Sequence, residues 1–204
     1  MLQDARLYFV TGIVEERTLA AALAGGVDIV QLREKDADAD AIVRAGKLFR
    51  RLTRAAGALF VVNDSPELAL RCEADGVHVG QDDLPVPQVR ALVGDRLLVG
   101  LSTHSPEQIR AAEGVDYIGV GPVYATPTKE GRAPVGLQLV REAAASAPVP
   151  WFAIGGIDEQ TVEDVVAAGA ERIAVVRAIR DAPDPEATAR ALRRRLPPRR
   201  RAAG

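Results

Sequence analysis

The stretch "ALFVVNDSPELALRCEADGVHVG", residues 58–80, packs a strand, a helix and a second strand into one short unit. Residues 58–64 ("ALFVVND") form an apolar, β-rich run without polar alternation, the pattern of a strand buried on both faces. Ser65 offers a side-chain oxygen for a helix N-cap. Pro66 suits the first helical position, where an N–H would have no partner anyway. "SPELALRCEA" then carries the helix, and "GVHVG" (76–80) returns as a second strand.

The same unit recurs along the chain. Further strand runs are "LYFVTG" (7–12), "VDIVQLR" (27–33), "LLVGLS" (97–102), "DYIGVG" (116–121), "VPWFAIGG" (149–156) and "RIAVVRA" (172–178). Helical stretches separate them. The clearest is 38–57, with an Asp at its start and a Gly past its end, and "SPEQIRAAE" at 105–113 repeats the Ser-Pro opening. Eight strand–helix units predict a single-domain α/β TIM (β/α)8 barrel. An open doubly wound sheet would have fewer strands, and no first-turn GxGxxG is present. The expected domain spans residues 1–196, with a Pro/Arg-rich tail at 197–204.

Composition narrows the function classes. The chain has 204 residues, 48% hydrophobic and 26% charged, with a net charge of −2, so no strong field points to nucleic acid or a membrane. Arginines 193–195 and 199–201 lack aromatic partners and read as a helix end and a solvated tail. No basic-then-apolar leader pattern opens the chain, and no apolar run approaches the ~18 residues of a membrane span, so a cytoplasmic protein is expected. Cys72, the single cysteine, reads as a buried apolar filler.

In a barrel the carboxyl ends of the strands line the active-site mouth. At the second strand end, Gln31, Arg33 and Lys35 alternate and share a direction. Two cations there call for an anion. Asn63 and Asp64 end the third strand, and Asp82 and Asp83 follow the fourth. Carboxylates beside a basic cluster suit a Mg²⁺ ion bridging to phosphate oxygens. Singly, Asp64 also reads as a helix cap, and Asp82 and Asp83 as turn residues.

Ser102 and His104 follow the fifth strand without a visible acidic partner, so hydrogen bonding to a substrate is expected rather than nucleophilic attack. The long loop 121–136 carries Thr126, Thr128 and Lys129. Gly155 and Gly156 end the seventh strand, where glycine amides and the loop after strand eight commonly hold phosphate. The residues thus imply a diphosphate subsite with Mg²⁺ and a monophosphate subsite across one mouth.

Taken together, "LYFVTG", "VQLREKD", "VVNDSPELAL", "DGVHVGQDD", "VGLSTHS", "DYIGVGPVYATPTK", "FAIGGI" and "AGAERIAVVRAI" resemble the thiamine phosphate synthase family over nearly the whole chain. The resemblance implies a pyrimidine-diphosphate site at Gln31, Leu32, Arg33, Glu34 and Lys35 with Asn63, Ser102 and Lys129. Arg33, Lys35, Ser102 and Lys129 would be its catalytic groups. It implies Mg²⁺ ligands at Asp64 and Asp83, with Asp82 a neighbour, and a thiazole-phosphate site at Thr126, Pro127, Thr128, Gly156, Val176 and Arg177. The family reaction it implies is dissociative: diphosphate leaves the pyrimidine methylene and the thiazole nitrogen captures the cation, with CO₂ lost where the thiazole is carboxylated. Two positions depart from the pattern. Gly12 stands where Asp is frequent after the first strand, and Arg177 where serine is common.

Two rival expectations remain. A thiazole tautomerase-like barrel would carry a catalytic histidine after strand six, where this chain has Gly121, Pro122 and Val123. A non-catalytic thiamine-phosphate-binding protein would have no need of leaving-group activation. Homo-oligomerisation is left open.

Overall fold

The computed structural model describes residues 1–125 and 133–198. In chain order its elements are β1 Leu7–Thr11, α1 Glu16–Ala24, β2 Ile29–Leu32, α2 Ala39–Ala56, β3 Leu59–Asn63, α3 Pro66–Arg71, β4 Gly76–Val79 and α4 Val86–Val93. They continue with β5 Leu98–Thr103, α5 Pro106–Arg110, β6 Tyr117–Val120, α6 Gly136–Ser146, β7 Trp151–Ile154, α7 Val162–Ala167, β8 Ile173–Val175, α8 Arg177–Arg180 and α9 Pro185–Arg195. All strand pairs are parallel, and Tyr8 against Ala174 closes β1 onto β8. The molecule is a TIM barrel.

The local signals act as their chemistry demands. Asp38 accepts from the Ala41 amide at 2.7 Å to start α2, and Gly57 ends that helix at φ 68°. Ser65 accepts from Leu68 N at 3.1 Å, and Ser105 from Gln108 N at 3.3 Å, each followed by proline in the first turn. Asp64 is therefore not the cap of α3. Strand limits are tighter than the apolar runs suggest. β7 stops at Ile154 because Gly155 and Gly156 take φ 105° and 66°, and β8 stops at Val175 because Val176 is already the N-cap of α8.

Two apolar layers result. Leu7, Phe9, Val30, Leu32, Phe60 and Val62 face outward beneath the helices, where Cys72 is also buried. Tyr8, Val10, Ile29, Val61, Tyr117 and Phe152 fill the barrel. Most residues on both faces of the strands are buried, which explains why the sequence runs show little period of two.

The bottom of the barrel repeats one device that the residue patterns had not revealed. Asp28, Asp75 and Asp116 each stand one residue before an even-numbered strand. Each accepts an amide from the preceding odd strand: Leu7 N at 3.0 Å, Phe60 N at 2.7 Å and Val99 N at 2.7 Å. Each also pairs with a helix arginine: Arg193, Arg50 and Arg90 respectively. This end is built for stability, leaving the opposite end for chemistry.

Candidate active site

The strand ends enclose a cavity of about 380 Å³. Its floor is aromatic. Tyr8, Tyr117 and Phe152 pack edge to face with ring centroids 5.3 to 5.9 Å apart. A chain of polar atoms nevertheless crosses this floor. Gln31 Nε2 donates to the Tyr8 hydroxyl at 2.6 Å, which meets the Tyr117 hydroxyl at 3.0 Å. Tyr117 meets His78 Nδ1 at 3.2 Å, and His78 Nε2 meets Ser102 Oγ at 3.0 Å. Burial pushes both phenol pKa values upward, so both rings stay neutral.

Room for this chain comes from Gly100 on β5. A Cβ there would strike the Tyr117 ring and lie 2.5 Å from His78 Nδ1. Gln81, in the loop after β4, donates to the Ser102 carbonyl at 2.7 Å and ties that loop to the end of β5.

One side of the mouth gathers opposite charges. Asp64 leaves β3 with φ 62°, a left-handed conformation that costs an ordinary side chain about 1–2 kcal/mol. Its carboxyl pKa is raised to about 6, first by burial and then by the hydrogen bond and charge of Asp83, with Lys35 and Arg33 pulling the other way. Asp83 Oδ2 in turn accepts from Gly80 N at 2.6 Å. The half-buried Asp64 carboxyl and the exposed Asp83 carboxyl thus lie close together, with Lys35 and Arg33 nearby. Among the described residues no cluster of three or more His, Cys, Asp or Glu could hold a metal. An all-oxygen pair flanked by cations fits Mg²⁺, which takes one or two carboxylates and fills its other positions with water and phosphate oxygens.

The opposite side is made of backbone. Gly155, Gly156, Val176, Arg177 and Ala178 line it, and the first amides of α8 have no intrahelical acceptor. Gly156 at φ 66° brings the β7 loop so near that a Cβ would lie 2.7 Å from the Tyr124 Cβ. Arg177 is exposed on this wall, beside Asp181, whose pKa is lowered first by its Arg180 hydrogen bond and also by the Arg177 charge.

Of the residues singled out from sequence, Gln31, Arg33, Asn63, Ser102, Gly156, Val176 and Arg177 line the cavity, as does His104. Lys35 and Asp83 are exposed at the rim. The Leu32 side chain is buried in the layer under the helices, because it sits one residue out of phase with Gln31. Glu34 turns toward the β1 loop, accepting from Ile13 N at 3.3 Å, where it occupies the space a side chain at Gly12 would need. Thr126, Pro127, Thr128 and Lys129 lie outside the described residues. Tyr8, His78 and Tyr117 went unrecognised in the sequence. A polar or phenolic side chain within an otherwise apolar strand, as in "GVHV", was the available signal.

A family model described as thiamine monophosphate synthase matches residues 7–179. The thiamine-phosphate synthase of Gloeobacter violaceus is 56% identical over 191 residues, covering 92% of this chain and 56% of that protein. The thiamine-phosphate synthase of Thermobifida fusca is 51% identical over 204 residues, covering 96% of this chain and 94% of that one. The chain thus spans just over half the length of some curated relatives and nearly all of others. Among solved structures, thiamine phosphate pyrophosphorylase from Pyrococcus furiosus superposes with a TM-score of 0.87 at 33% identity, covering 95% of this chain and 96% of its own.

Proposed function

The chain belongs to the thiamine monophosphate synthase family, and from that premise we propose that it is a transferase joining a pyrimidine diphosphate to a thiazole phosphate to make thiamine phosphate. One observation carries the proposal: Arg33 lines one side of a cavity, with the Asp64 and Asp83 carboxyls and Lys35 near it, and glycine and helix amides line the other side. That arrangement suits a diphosphate facing a monophosphate.

In this proposal Gln31, Asn63 and Ser102 orient the pyrimidine over the aromatic floor. Arg33, Lys35 and Lys129 meet the diphosphate and offset the negative charge that grows as its C–O bond breaks. Asp64 and Asp83 would hold Mg²⁺, which neutralises leaving-group charge. Thr126, Pro127, Thr128, Gly156, Val176 and Arg177 hold the thiazole phosphate so that its ring nitrogen faces the methylene carbon. The electron pair of the C–O bond leaves with diphosphate, and the nitrogen lone pair forms the new C–N bond. A carboxylated thiazole would also release CO₂. Holding both partners together supplies much of the acceleration, and no general base is required.

The proposal keeps residues 1–196 as the catalytic barrel and 197–204 as a tail, in a cytoplasmic protein acting on small molecules. No helix among the described residues is long and apolar enough to cross a membrane. The test mixes both phosphorylated substrates with Mg²⁺ and follows thiamine phosphate and diphosphate. Product formation supports the synthase. Tight binding with no turnover at any protein concentration would instead favour a non-catalytic binder.

A further inference from the structure

We propose that Tyr117 and His78 are positioning residues that set the direction of the hydrogen-bond chain from Gln31 to Ser102, so that Ser102 enters the cavity as a hydrogen-bond donor. The direction follows from counting protons. The Gln31 amide nitrogen has only hydrogens to offer, so the Tyr8 oxygen accepts from it. Tyr8 is 2% exposed, and its proton goes to its other partner, the Tyr117 oxygen. Only one proton fits between two oxygens, so the Tyr117 proton turns to His78 Nδ1. Tyr117 is 1% exposed, and a proton on Nδ1 would leave its hydroxyl without an acceptor in a dry site.

His78 is thereby held as the neutral tautomer with its proton on Nε2, donating to Ser102 Oγ at 3.0 Å. The Ser102 oxygen is occupied as an acceptor, and its own proton is left to point into the cavity that it lines. A donor there stabilises negative charge, whereas the reversed chain would present a lone pair. The consequence for turnover rests on the coupling reaction proposed above. The direction of the chain rests on geometry alone.

The chain has two histidines, so ¹⁵N-histidine labelling gives two ring systems, and His78→Gln assigns them. Long-range proton–nitrogen correlation at about pH 8, where an ordinary imidazole is neutral, should show His78 protonated at Nε2 and bare at Nδ1. A Nδ1–H tautomer or an imidazolium would overturn the proposal. Tyr117→Phe removes the donor to Nδ1 and should raise the Nδ1–H population. It should lower kcat about tenfold, the scale of one lost hydrogen bond, with KM for the pyrimidine diphosphate little changed. An unaltered tautomer in that variant would assign Tyr117 to packing and overturn its role. His78→Gln, which keeps a donor near the Nε2 position, should retain more kcat than His78→Leu, and equal losses would count against His78. If wild-type protein forms no product at all, the coupling proposal fails while the nitrogen spectra still decide the direction.

Discussion

Asp64 hangs its backbone N–H on the carbonyl of His78 at 2.8 Å while its own φ stands at 62°. One residue of β4 thus supports both the polar chain of the floor and the carboxylate side of the mouth. Its ring faces Ser102 through the barrel, and its carbonyl holds the strained turn that brings Asp64 toward Asp83.

That strain makes stability and function separable at Asp64. A left-handed position favours glycine over alanine. Asp64→Gly should therefore melt above Asp64→Ala by the roughly 2–4 °C that about 1 kcal/mol gives a domain of this size. Both should lose Mg²⁺-dependent turnover by about 100-fold or more. Thermal melts and product assays on the pair check this. Full activity in either variant would remove Asp64 from the metal site.

Arg177 is an exposed cation on the wall formed by the β7 loop and α8, beside Asp181. Arg177→Ser should raise KM for the thiazole phosphate, about tenfold for a charge-assisted contact, and leave KM for the pyrimidine diphosphate unchanged. Steady-state kinetics with each substrate varied in turn will show it. An unchanged thiazole constant would mean that the α8 amides suffice.

At Gly100 the prediction concerns shape. Alanine would press on Tyr117 and His78 at once. Gly100→Ala should cost about 1–3 kcal/mol of stability from overpacking and should lower kcat by displacing the polar chain. Chemical denaturation and kinetics measure the two effects. A variant as stable and as active as the parent would mean that the floor yields freely.

The bottom of the barrel should behave differently. Asp116 accepts from Val99 N and pairs with Arg90 at 2.5 Å, with both side chains partly screened by solvent. Asp116→Ala should lower stability by about 2 kcal/mol, chiefly by orphaning the strand amide, and leave kcat and both KM values within about twofold. A large kinetic effect would contradict the division between a structural end and a chemical end.

Much of this was legible in the chain. Ser65, Ser105 and Asp38 cap helices by chemistry that acts within three residues, so local order reveals it. Arg33, Lys35, Asp64 and Asp83 were conspicuous because charges seldom sit at strand ends without a ligand. Leu32 was included only through the family resemblance, and its side chain lies one residue out of phase with Gln31, in the layer under the helices. The aspartates at 28, 75 and 116 were visible as letters, but their strand amides and arginine partners were not.

The sequence by itself determined the alternation of eight strands and helices, the N-caps of α2, α3 and α5, the family and the inventory of charged groups at the mouth. Tertiary structure decided what faces what. Tyr8 and Tyr117 are 109 residues apart in the chain and share a hydrogen bond only because β1 and β6 face one another across a closed barrel. Closure also removes water from that floor, so each buried hydroxyl must find a partner and the direction of its proton acquires meaning. No local pattern encodes such a pairing, because its partners come together only when the sheet does.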